Sequence, residues 1–252
     1  MDHELLYDMI FKRKSFHLFR SGKGNKISPN KIDEIKEKYE SLLPLYPEIK
    51  TAIKIVPSCE TTCKRGQEYC ILFYSEKKKN YLENIGYLGE QLDLYLVSQN
   101  IGTLWYGIGQ AKQAEQEGLD FVIMMAIAQM DGPECFRKDL FKSKRKPIEE
   151  IWRGEMLDGV TEIVRFAPSA CNTQPWLVEH EENQIRVYRY KKPGKRGIMP
   201  AAKVSYYNSI DIGIFLCFLE LCYSHNHMGY NRTLYDDSIS EKEKTLVAVY
   251  EK

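Results

Sequence analysis

The chain has 252 residues, of which 43% are hydrophobic and 28% are charged, so it is long enough for one large or two small globular domains. Its 36 Lys and Arg residues nearly balance its 35 Asp and Glu residues, which leaves a formal charge of +1. This balance provides no global field that would direct the chain to nucleic acid or to an anionic membrane. We therefore expect its partners to be small molecules or a second copy of the chain.

The first residues, MDHELLYDMIF, include acidic side chains and lack the uninterrupted apolar run of a signal peptide. The longest apolar stretch, 210–223, contains Asp211 and Glu220 and is shorter than the roughly 20 residues that a membrane-spanning helix needs. We interpret that stretch as a buried helix. The seven cysteines are an odd number at irregular spacing, which favours reduced thiols. The sequence thus predicts a cytoplasmic protein.

The closest group of cysteines is Cys59, Cys63 and Cys70. Metal ligation would need a second close pair or a histidine at zinc-like spacing, and the sequence offers neither. We interpret these residues as free thiols and predict no metal site.

In the first half, hydrophobic periodicity predicts helices and strands in alternation. Leu5, Leu6, Met9 and Ile10 recur at helical spacing, so an opening helix should end near the basic run KRKSFHLFR. A second helix should begin at Pro29, because Ser28 is a good N-cap and proline suits the first helical position. We further predict strands at 51–56, 69–75 and 121–129, and a long helix over about 80–100.

The second half begins after Pro147 and repeats part of this pattern. We predict a helix around 156–166, then the loop APSACNTQPW, a hairpin of WLVEHE and IRVYRY turning at Glu182 and Asn183, a buried helix over about 209–224, and a final strand LVAVYE.

Two segments of the first half are echoed in the second. The sequence IVPSCETTCKRGQEYCILFYS aligns loosely with FAPSACNTQPWLVEHEENQIRVYRY, which makes Pro57-Ser58 the expected counterpart of Pro168-Ser169. The long helical segments, 84–107 and 208–231, also share an early glycine, an apolar body and a glycine after the end. We infer two related half-domains that pack as a pseudo-dimer.

Three motifs carry a resemblance to a known family. The loop APSACNTQPW resembles the A-P-S-x-x-N-x-Q-P-W loop of nitroreductase-like FMN enzymes. The run KRKSFHLFR resembles the family's opening R-R-S-x-R-x-F, and KSKRKPIEEI (142–151) resembles its closing R-K-P-L-E-E-V. The resemblance implies an α+β nitroreductase-like fold of two half-domains, each with a small sheet flanked by helices, at 1–150 and 151–252.

Members of that family are homodimers that bind FMN with the basic helix end of one subunit and the asparagine loop of the other. The resemblance therefore implies that one complete site can be assembled within this chain. A reciprocal site would need Pro57, Ser58 and Thr61 or Thr62 in place of the loop, and no basic motif opens the second half. We expect that second site to be inactive.

The FMN phosphate carries close to two negative charges. By resemblance, Arg13 and Arg145, helped by Lys14 or Lys142 and the Ser15 hydroxyl, would hold it with charge-assisted hydrogen bonds. A solvated basic surface is the alternative for these charge runs. Their occurrence together with the asparagine loop favours the phosphate interpretation.

The flavin ring is expected to lie against two other segments. By resemblance, Ser169 and Asn172 would offer polar groups to the pyrimidine edge or ribityl chain, Pro168 would fix the backbone, and Ala170 is small enough to let the ring approach. The alternative for this loop is a simple turn before the next strand. Further candidate cofactor-binding residues come from GTLWYGIG (102–109), whose alternative is a helix C-cap followed by a buried tryptophan, and are Tyr106, Gly107 and Ile108.

The sequence departs from the family pattern at one site residue and in one segment. His17 stands where a second arginine is usual, so stabilisation of the reduced flavin is expected to depend on its protonation. The stretch between Tyr74 and Tyr81 is short and leaves no room for helices that would cover a substrate. The acceptor site is therefore expected to be open, or the acceptor to be a protein.

The resemblance implies hydride transfer from NADH or NADPH through FMN to a nitroaromatic, a quinone or another flat acceptor, with the flavin performing the chemistry and no catalytic side chain required. Two alternatives remain open. One is a non-catalytic flavin-binding or flavin-storage protein of the same fold, and the other is a basic interaction module without flavin. We expect a monomeric pseudo-dimer or a weak homo-oligomer.

Overall fold

The computed structural model describes residues 3–20, 26–112, 115–140, 143–190, 197–236, 241 and 243–251. Its chain divides into two compact units, Met1–Leu140 and Phe141–Lys252, called unit 1 and unit 2 below. The division lies before the basic segment 142–151, which the sequence analysis assigned to the first half. Lys142 lies outside the described residues.

Unit 1 contains three α-helices and five strands among its described residues. Its elements are α1 (His3–Lys12), α2 (Pro29–Glu40), β1 (Thr51–Pro57), β2 (Tyr69–Ser75), α3 (Tyr81–Ser98), β3 (Ile101–Tyr106), β4 (Glu115–Gln116) and β5 (Leu119–Gln129). The strands form an antiparallel sheet in the order β1-β2-β5-β3, and β4 pairs with β5. The predicted helices and the three predicted strands of this half are confirmed.

Strand β3 was not predicted as a strand. Residues 102–109 are expected from the sequence to be a flavin-contacting stretch or a helix C-cap, whereas Ile101–Tyr106 pairs with β5 along its whole length. The chain turns from α3 into β3 in only two residues, because Asn100 adopts a left-handed conformation with φ 55°. Asparagine tolerates that conformation better than most residues. The residues that indicate the end of α3 and the residues that begin β3 therefore lie at the same place in the sequence.

Unit 2 also contains three helices and five strands among its described residues. Its elements are α4 (Ile148–Ile151), β6 (Trp152–Gly154), α5 (Thr161–Val164), β7 (Trp176–Glu181), β8 (Gln184–Tyr190), α6 (Val204–His225), β9 (Asn231–Leu234) and β10 (Lys244–Glu251). The sheet order is β6-β7-β8-β10-β9, with β6 parallel to β7 and the other pairs antiparallel. The predicted hairpin, the buried helix and the final strand are confirmed.

The predicted helix at 156–166 is wrong in extent, since only Thr161–Val164 is helical. Gly159 has φ +67°, which a right-handed helix cannot accommodate, and a Cβ there would approach Asn226 Oδ1 within 2.5 Å. The apolar residues of this segment are instead buried around a single helical turn. Val160 and Val164 are both fully buried.

The long helix α6 lies in the core of unit 2. Trp176 of β7 is completely buried and stacks on Phe215 of α6, with ring centroids 4.9 Å apart. By length and composition alone the stretch Ala201–His225 could cross a membrane, and it is the one such helix among the described residues. Because 78% of its most apolar window is buried inside the structure, its hydrophobicity is accounted for by core packing.

The two units share one topology. In unit 1 the hairpin β1–β2 is followed by α3, then β3, then β5, which inserts between β2 and β3. In unit 2 the hairpin β7–β8 is followed by α6, then β9, then β10, which inserts between β8 and β9. The predicted correspondence of the two long helices is therefore confirmed.

The predicted counterpart of Pro168-Ser169 is wrong. Pro57 ends β1 and lies inside the first hairpin, whereas Pro168 precedes β7, the equivalent of β1. The topological counterpart of the Pro168 loop is instead the segment 41–50, between α2 and β1. The short match Pro-Ser therefore aligned two different places in the fold.

Candidate functional site

The loop that follows α5 in unit 2 has a strained backbone. Ser169 Oγ accepts a hydrogen bond from Gln174 N at 2.9 Å, and Ser169 O accepts one from Asn172 N at 2.9 Å. Residues Ala170–Asn172, which follow Ser169, form a 3₁₀ turn. Cys171, Asn172 and Gln174 have φ values of 51°, 55° and 48°, a region that disfavours residues other than glycine and asparagine. Such strain persists only where surrounding contacts impose it, and it is frequent at functional sites.

Those contacts come from the basic segment that precedes α4. Arg145 Nη1 donates to Asn172 Oδ1 at 3.0 Å, and Arg145 Nη2 donates to Phe166 O at 2.9 Å. In return, Asn172 Nδ2 donates to Lys144 O at 3.1 Å. Lys146 binds the far side of the loop, since its N donates to Gln174 Oε1 at 2.8 Å and its Nζ to Gln174 O at 3.1 Å. The closing motif and the asparagine loop are therefore one structure.

This assembly, residues 144–146 with 166–174, is called the basic loop below. It contains three basic residues, Lys144, Arg145 and Lys146, whereas the neighbouring Arg165, which lies over the Phe166 ring at 5.2 Å, is paired with Glu162 at 3.5 Å. Burial lowers the pKa of Lys146 below its usual value, and the nearby Glu150 opposes that shift. Positive charge that is partly removed from water binds anions more strongly than the same charge on an open surface.

Beneath the basic loop lies a buried carboxyl group. The backbone N–H of Ala170 donates to both oxygens of Asp211 on α6, at 3.0 Å and 3.1 Å. Asp211 is 3% exposed. Burial raises the pKa of Asp211 to about 8, and the Ala170 hydrogen bond offsets only part of that rise.

In unit 1, Arg13 is buried in an ion-pair cluster. Its Nε donates to Asp93 Oδ2 at 2.9 Å, and Glu90 Oε1 is 3.6 Å from the same nitrogen. Arg13 Nη1 donates to Ser15 Oγ at 3.4 Å, so these two predicted phosphate ligands are adjacent. Arg13 Nη2 is buried and has no hydrogen-bond partner among the described residues. The guanidinium is thus largely neutralised by carboxylates but keeps one uncommitted donor.

Strand β3 completes this cluster. Thr103 Oγ1 donates to Asp93 Oδ1 at 2.5 Å, and Trp105 Nε1 donates to Glu90 Oε2 at 3.1 Å. Burial and the neighbouring Asp93 raise the pKa of Glu90 well above its usual range, although Arg13 acts in the opposite direction. A protonated Glu90 leaves one cation, Arg13, facing one anion, Asp93.

The remaining predicted residues of unit 1 lie along β3 and its continuation. Ser15 forms a β-bridge with Thr103, which places the basic motif alongside β3. Lys14 Nζ lies 4.6 Å from the centre of the Phe16 ring. His17 and Ile108 are exposed, whereas Tyr106 and Gly107 are half-buried.

One charged residue of this region was not predicted. The Arg65 guanidinium lies over the Tyr106 ring, 5.7 Å from its centre, and Arg65 O accepts a hydrogen bond from Phe19 N at 2.7 Å. Gly66 makes this approach possible, since its φ is +80° and a Cβ there would lie 2.4 Å from Phe19 O. A single exposed arginine in a long loop gives no signal in the sequence, so it could not have been found there.

Asp211 was also missed, but it did carry a signal. An acidic residue inside an apolar helix is costly to bury and therefore has a specific reason to be there. In the sequence, Asp211 was interpreted only as a residue that disfavours a membrane-spanning helix. Cys63 and Cys70, which were interpreted as free thiols, are buried, and Cys59 is exposed. No group of three metal-ligating side chains is found within the part of the chain that the structure describes.

Comparison with known proteins places the chain in a family. A family model described as "Putative TM nitroreductase" matches residues 5–223. The chain belongs to this nitroreductase family. Membership supports an oxidoreductase activity for the chain. A search of curated proteins finds no match.

Two solved structures are similar to this nitroreductase-family chain to different degrees. A "putative nitroreductase" from Thermotoga maritima is 19% identical, with 98% of this chain and 95% of that chain covered and a TM-score of 0.61. A nitroreductase-like family protein from Bacillus cereus is 13% identical, with 61% of this chain and 96% of that chain covered and a TM-score of 0.38. The first of these confirms the predicted α+β nitroreductase-like fold.

Proposed function

We propose that the chain is an FMN-dependent oxidoreductase that transfers hydride from NADH or NADPH through FMN to a nitroaromatic, a quinone or a similar flat acceptor. One observation carries the proposal: Arg145 donates to Asn172 at 3.0 Å, although 27 positions separate them in the sequence. Two of the three motifs that resemble the family therefore form a single basic loop. A solvated basic surface would not require that contact.

The chemistry of the donors suits FMN. Its phosphate requires charged donors, and the basic loop offers Arg145 and Lys146. The polar edge of the flavin requires short polar groups, which Ser169 and Asn172 provide. The candidate cofactor-binding residues remain those predicted from the sequence: Arg13, Lys14, Ser15, His17, Tyr106, Gly107, Ile108, Arg145, Pro168, Ser169, Ala170 and Asn172.

When bound, FMN supplies the hydride-accepting and hydride-donating chemistry. The task of this chain is to bind and orient the cofactor. Arg145 and Lys146 neutralise the phosphate, and the backbone strain at Asn172 is the sign of a loop held in one conformation. Ser169 Oγ accepts from Gln174 N and so retains its own proton for donation.

The remaining parts of the proposal rest on the sequence together with the family resemblance. They are a flat acceptor that reaches the cofactor without a covering helix, a monomeric or weakly associating chain, and a location in the cytoplasm.

The test begins with the visible absorption spectrum of the freshly purified protein, followed by titration of cofactor-free protein with FMN. Asn172→Gly removes the amide and relieves the left-handed backbone, so we expect it to weaken FMN binding about tenfold through the loss of one or two hydrogen bonds. Asn100→Gly is the matched control, because Asn100 has the same φ of 55° but ends α3 in unit 1. It should leave FMN affinity within about twofold.

The alternatives give different results. A yellow protein that neither NADH nor NADPH can bleach under anaerobic conditions would support flavin storage instead of catalysis. A colourless protein that takes up no FMN would contradict the proposal and support a basic interaction module. If Asn172→Gly and Asn100→Gly weakened FMN binding equally, the basic loop would not be part of the FMN-binding site.

A further inference from the structure

Each unit has a loop that a buried polar side chain attaches to its long helix; in unit 1, Gln91 of α3 makes a second attachment, since its Nε2 donates to Leu43 O at 3.1 Å. In unit 1, Asn84 Oδ1 of α3 accepts a hydrogen bond from Tyr46 N at 2.9 Å. In unit 2, both carboxyl oxygens of Asp211 accept from Ala170 N. Both side chains are buried, and both loops precede the first strand of the hairpin.

The two anchors occupy equivalent positions. Asn84 lies fourteen residues before Ser98, the last residue of α3, and Asp211 lies fourteen residues before His225, the last residue of α6. An alignment of the two helices by their glycines does not pair Asn84 with Asp211. The shared position indicates that an acceptor at this point of the long helix is part of the topology.

The loops that these side chains attach differ in backbone conformation between the units. None of the residues from 41 to 50 has a positive φ, whereas the loop over Asp211 contains Cys171, Asn172 and Gln174 in the left-handed region. Each such residue costs about 1 kcal/mol or more relative to a relaxed backbone. A loop with three of them needs attachment on more than one side, and Arg145 and Asp211 provide it from opposite ends of the turn.

We propose that Asp211 is a positioning residue for the cofactor, which acts by fixing the Ala170 amide and thereby the conformation of residues 169–174. This inference rests on the proposed function, because it takes the basic loop to be part of the FMN site. Asp211 itself does not contact the cofactor. A neutral acceptor is sufficient for the task, since Asn84 performs it in unit 1 with an amide.

The decisive variants are Asp211→Asn, which keeps an acceptor oxygen, and Asp211→Leu, which removes it. We expect Asp211→Asn to bind FMN within about threefold of the unchanged protein and Asp211→Leu to bind it about tenfold more weakly or worse. Hydrogen exchange of the Ala170 amide, measured on cofactor-free protein, should be slow in the first variant and fast in the second. Exchange reports the anchor whether or not FMN binds.

Glu220→Leu is the control for loss of a buried carboxyl from the same helix. Glu220 accepts from Arg232 Nη1 and from Tyr250 OH, both at 2.7 Å, near the other end of α6. This variant should lower thermal stability but leave Ala170 exchange and FMN affinity unchanged. If Asp211→Leu does not fold, Asp211→Ala serves instead, because it also removes both acceptor oxygens but keeps the Ala170 amide whose exchange is measured.

The outcomes separate the two proposals. Absence of FMN binding by the unchanged protein overturns the proposed function, and with it the role of Asp211 toward the cofactor. FMN binding that is equally tight in the unchanged protein and in Asp211→Leu or Asp211→Ala overturns the inference about Asp211 alone. Slow Ala170 exchange in Asp211→Leu shows that the loop keeps its conformation without the anchor, and it also overturns the inference.

Discussion

The helices α3 and α6 hold the same place in two units of the same topology, but they bury carboxyl groups in different surroundings. On α3, Asp93 is met by the guanidinium of Arg13 and by the Thr103 hydroxyl. On α6, Asp211 is met by the Ala170 N–H and lies beside the Thr173 hydroxyl, with no charge in either group. The first arrangement joins three elements through charge. The second joins a helix to a loop.

This difference shows what the two basic motifs contribute. Arg13, from the opening motif, is committed mainly to the interior of unit 1, where an unpaired Asp93 would be strongly destabilising. Arg145, from the closing motif, is half-buried and donates to the uncharged oxygens of Lys144, Phe166 and Asn172. Because Arg13 is 6% exposed and ion-paired whereas Arg145 is half-buried, Arg13 has the larger role in stability and Arg145 is the more accessible of the two to an anion.

The largest effect is expected from Arg13→Met. Removing the guanidinium leaves Asp93 as a buried charge without its partner, so the free energy of unfolding should fall by about 3–5 kcal/mol. Urea denaturation measures this change. Arg153→Met is the control, because the Arg153 side chain is 59% exposed in its ion pair with Glu179 and its loss should have an effect below about 1 kcal/mol. An Arg13→Met protein of unchanged stability would contradict the structural role of Arg13 and leave phosphate binding as its function.

A smaller loss is expected from Gly89→Ala, which tests how closely α3 packs on β3. A Cβ at Gly89 would lie 2.3 Å from the Trp105 ring, so we expect a destabilisation of about 1–3 kcal/mol. The same change in a Trp105→Phe background should be less damaging, because the smaller ring leaves space for the methyl group. A double-mutant cycle in urea measures that coupling, and a coupling of zero would show that the contact is relieved elsewhere.

Much of the fold could be predicted from the sequence, because its strongest signals are local. The apolar periodicity of α3, the continuous apolar run of β5 and the apolar body of α6 each have one physical explanation, burial in a regular element. Prediction failed where two local signals overlap, as at Asn100 and β3. It also failed at 156–166, where apolar spacing resembled a helix although Gly159 interrupts it.

The residues of the site could be predicted from the sequence, but the contacts between them could not. Arg145 and Asn172 were both named from motifs, yet their contact joins segments 27 positions apart and depends on tertiary packing. The left-handed conformations of Cys171 and Gln174 could not be anticipated, because neither residue type favours them. Asp211 was visible as a buried acid, but the loop that it holds was not.

The two long helices should also differ in how their carboxyl groups respond to pH. Burial raises the pKa of Asp211 to about 8, and its described neighbours are the Ala170 amide and the Thr173 hydroxyl. The folded state therefore holds its proton more tightly than the unfolded state, so the stability contributed by Asp211 is greatest at low pH and is lost as the pH rises toward 8. Asp211→Asn does not titrate.

The difference in unfolding free energy between Asp211→Asn and the unchanged protein should consequently grow in favour of the variant from pH 5 to pH 8, by up to about 1.4 kcal/mol per pH unit. Urea denaturation at several pH values measures it. A difference that is constant with pH would show that Asp211 is ionised in the folded protein like an exposed aspartate. Glu90→Gln should shift stability in the same direction, because the pKa of Glu90 is raised as well.

The smallest effects are expected at two cysteines that follow the same Pro-Ser pair in the sequence but have different backbones. Cys171 is left-handed with φ 51°, whereas Cys59 lies in a 3₁₀ turn with negative φ. Glycine relieves the strain at the first position and only adds flexibility to the unfolded chain at the second. Cys171→Gly should therefore stabilise the protein by about 0.5–1 kcal/mol, and Cys59→Gly should destabilise it by a similar amount. Thermal unfolding measures the change in stability of each variant. If both changes had the same sign, the strain at Cys171 would not be a property of the folded loop in solution.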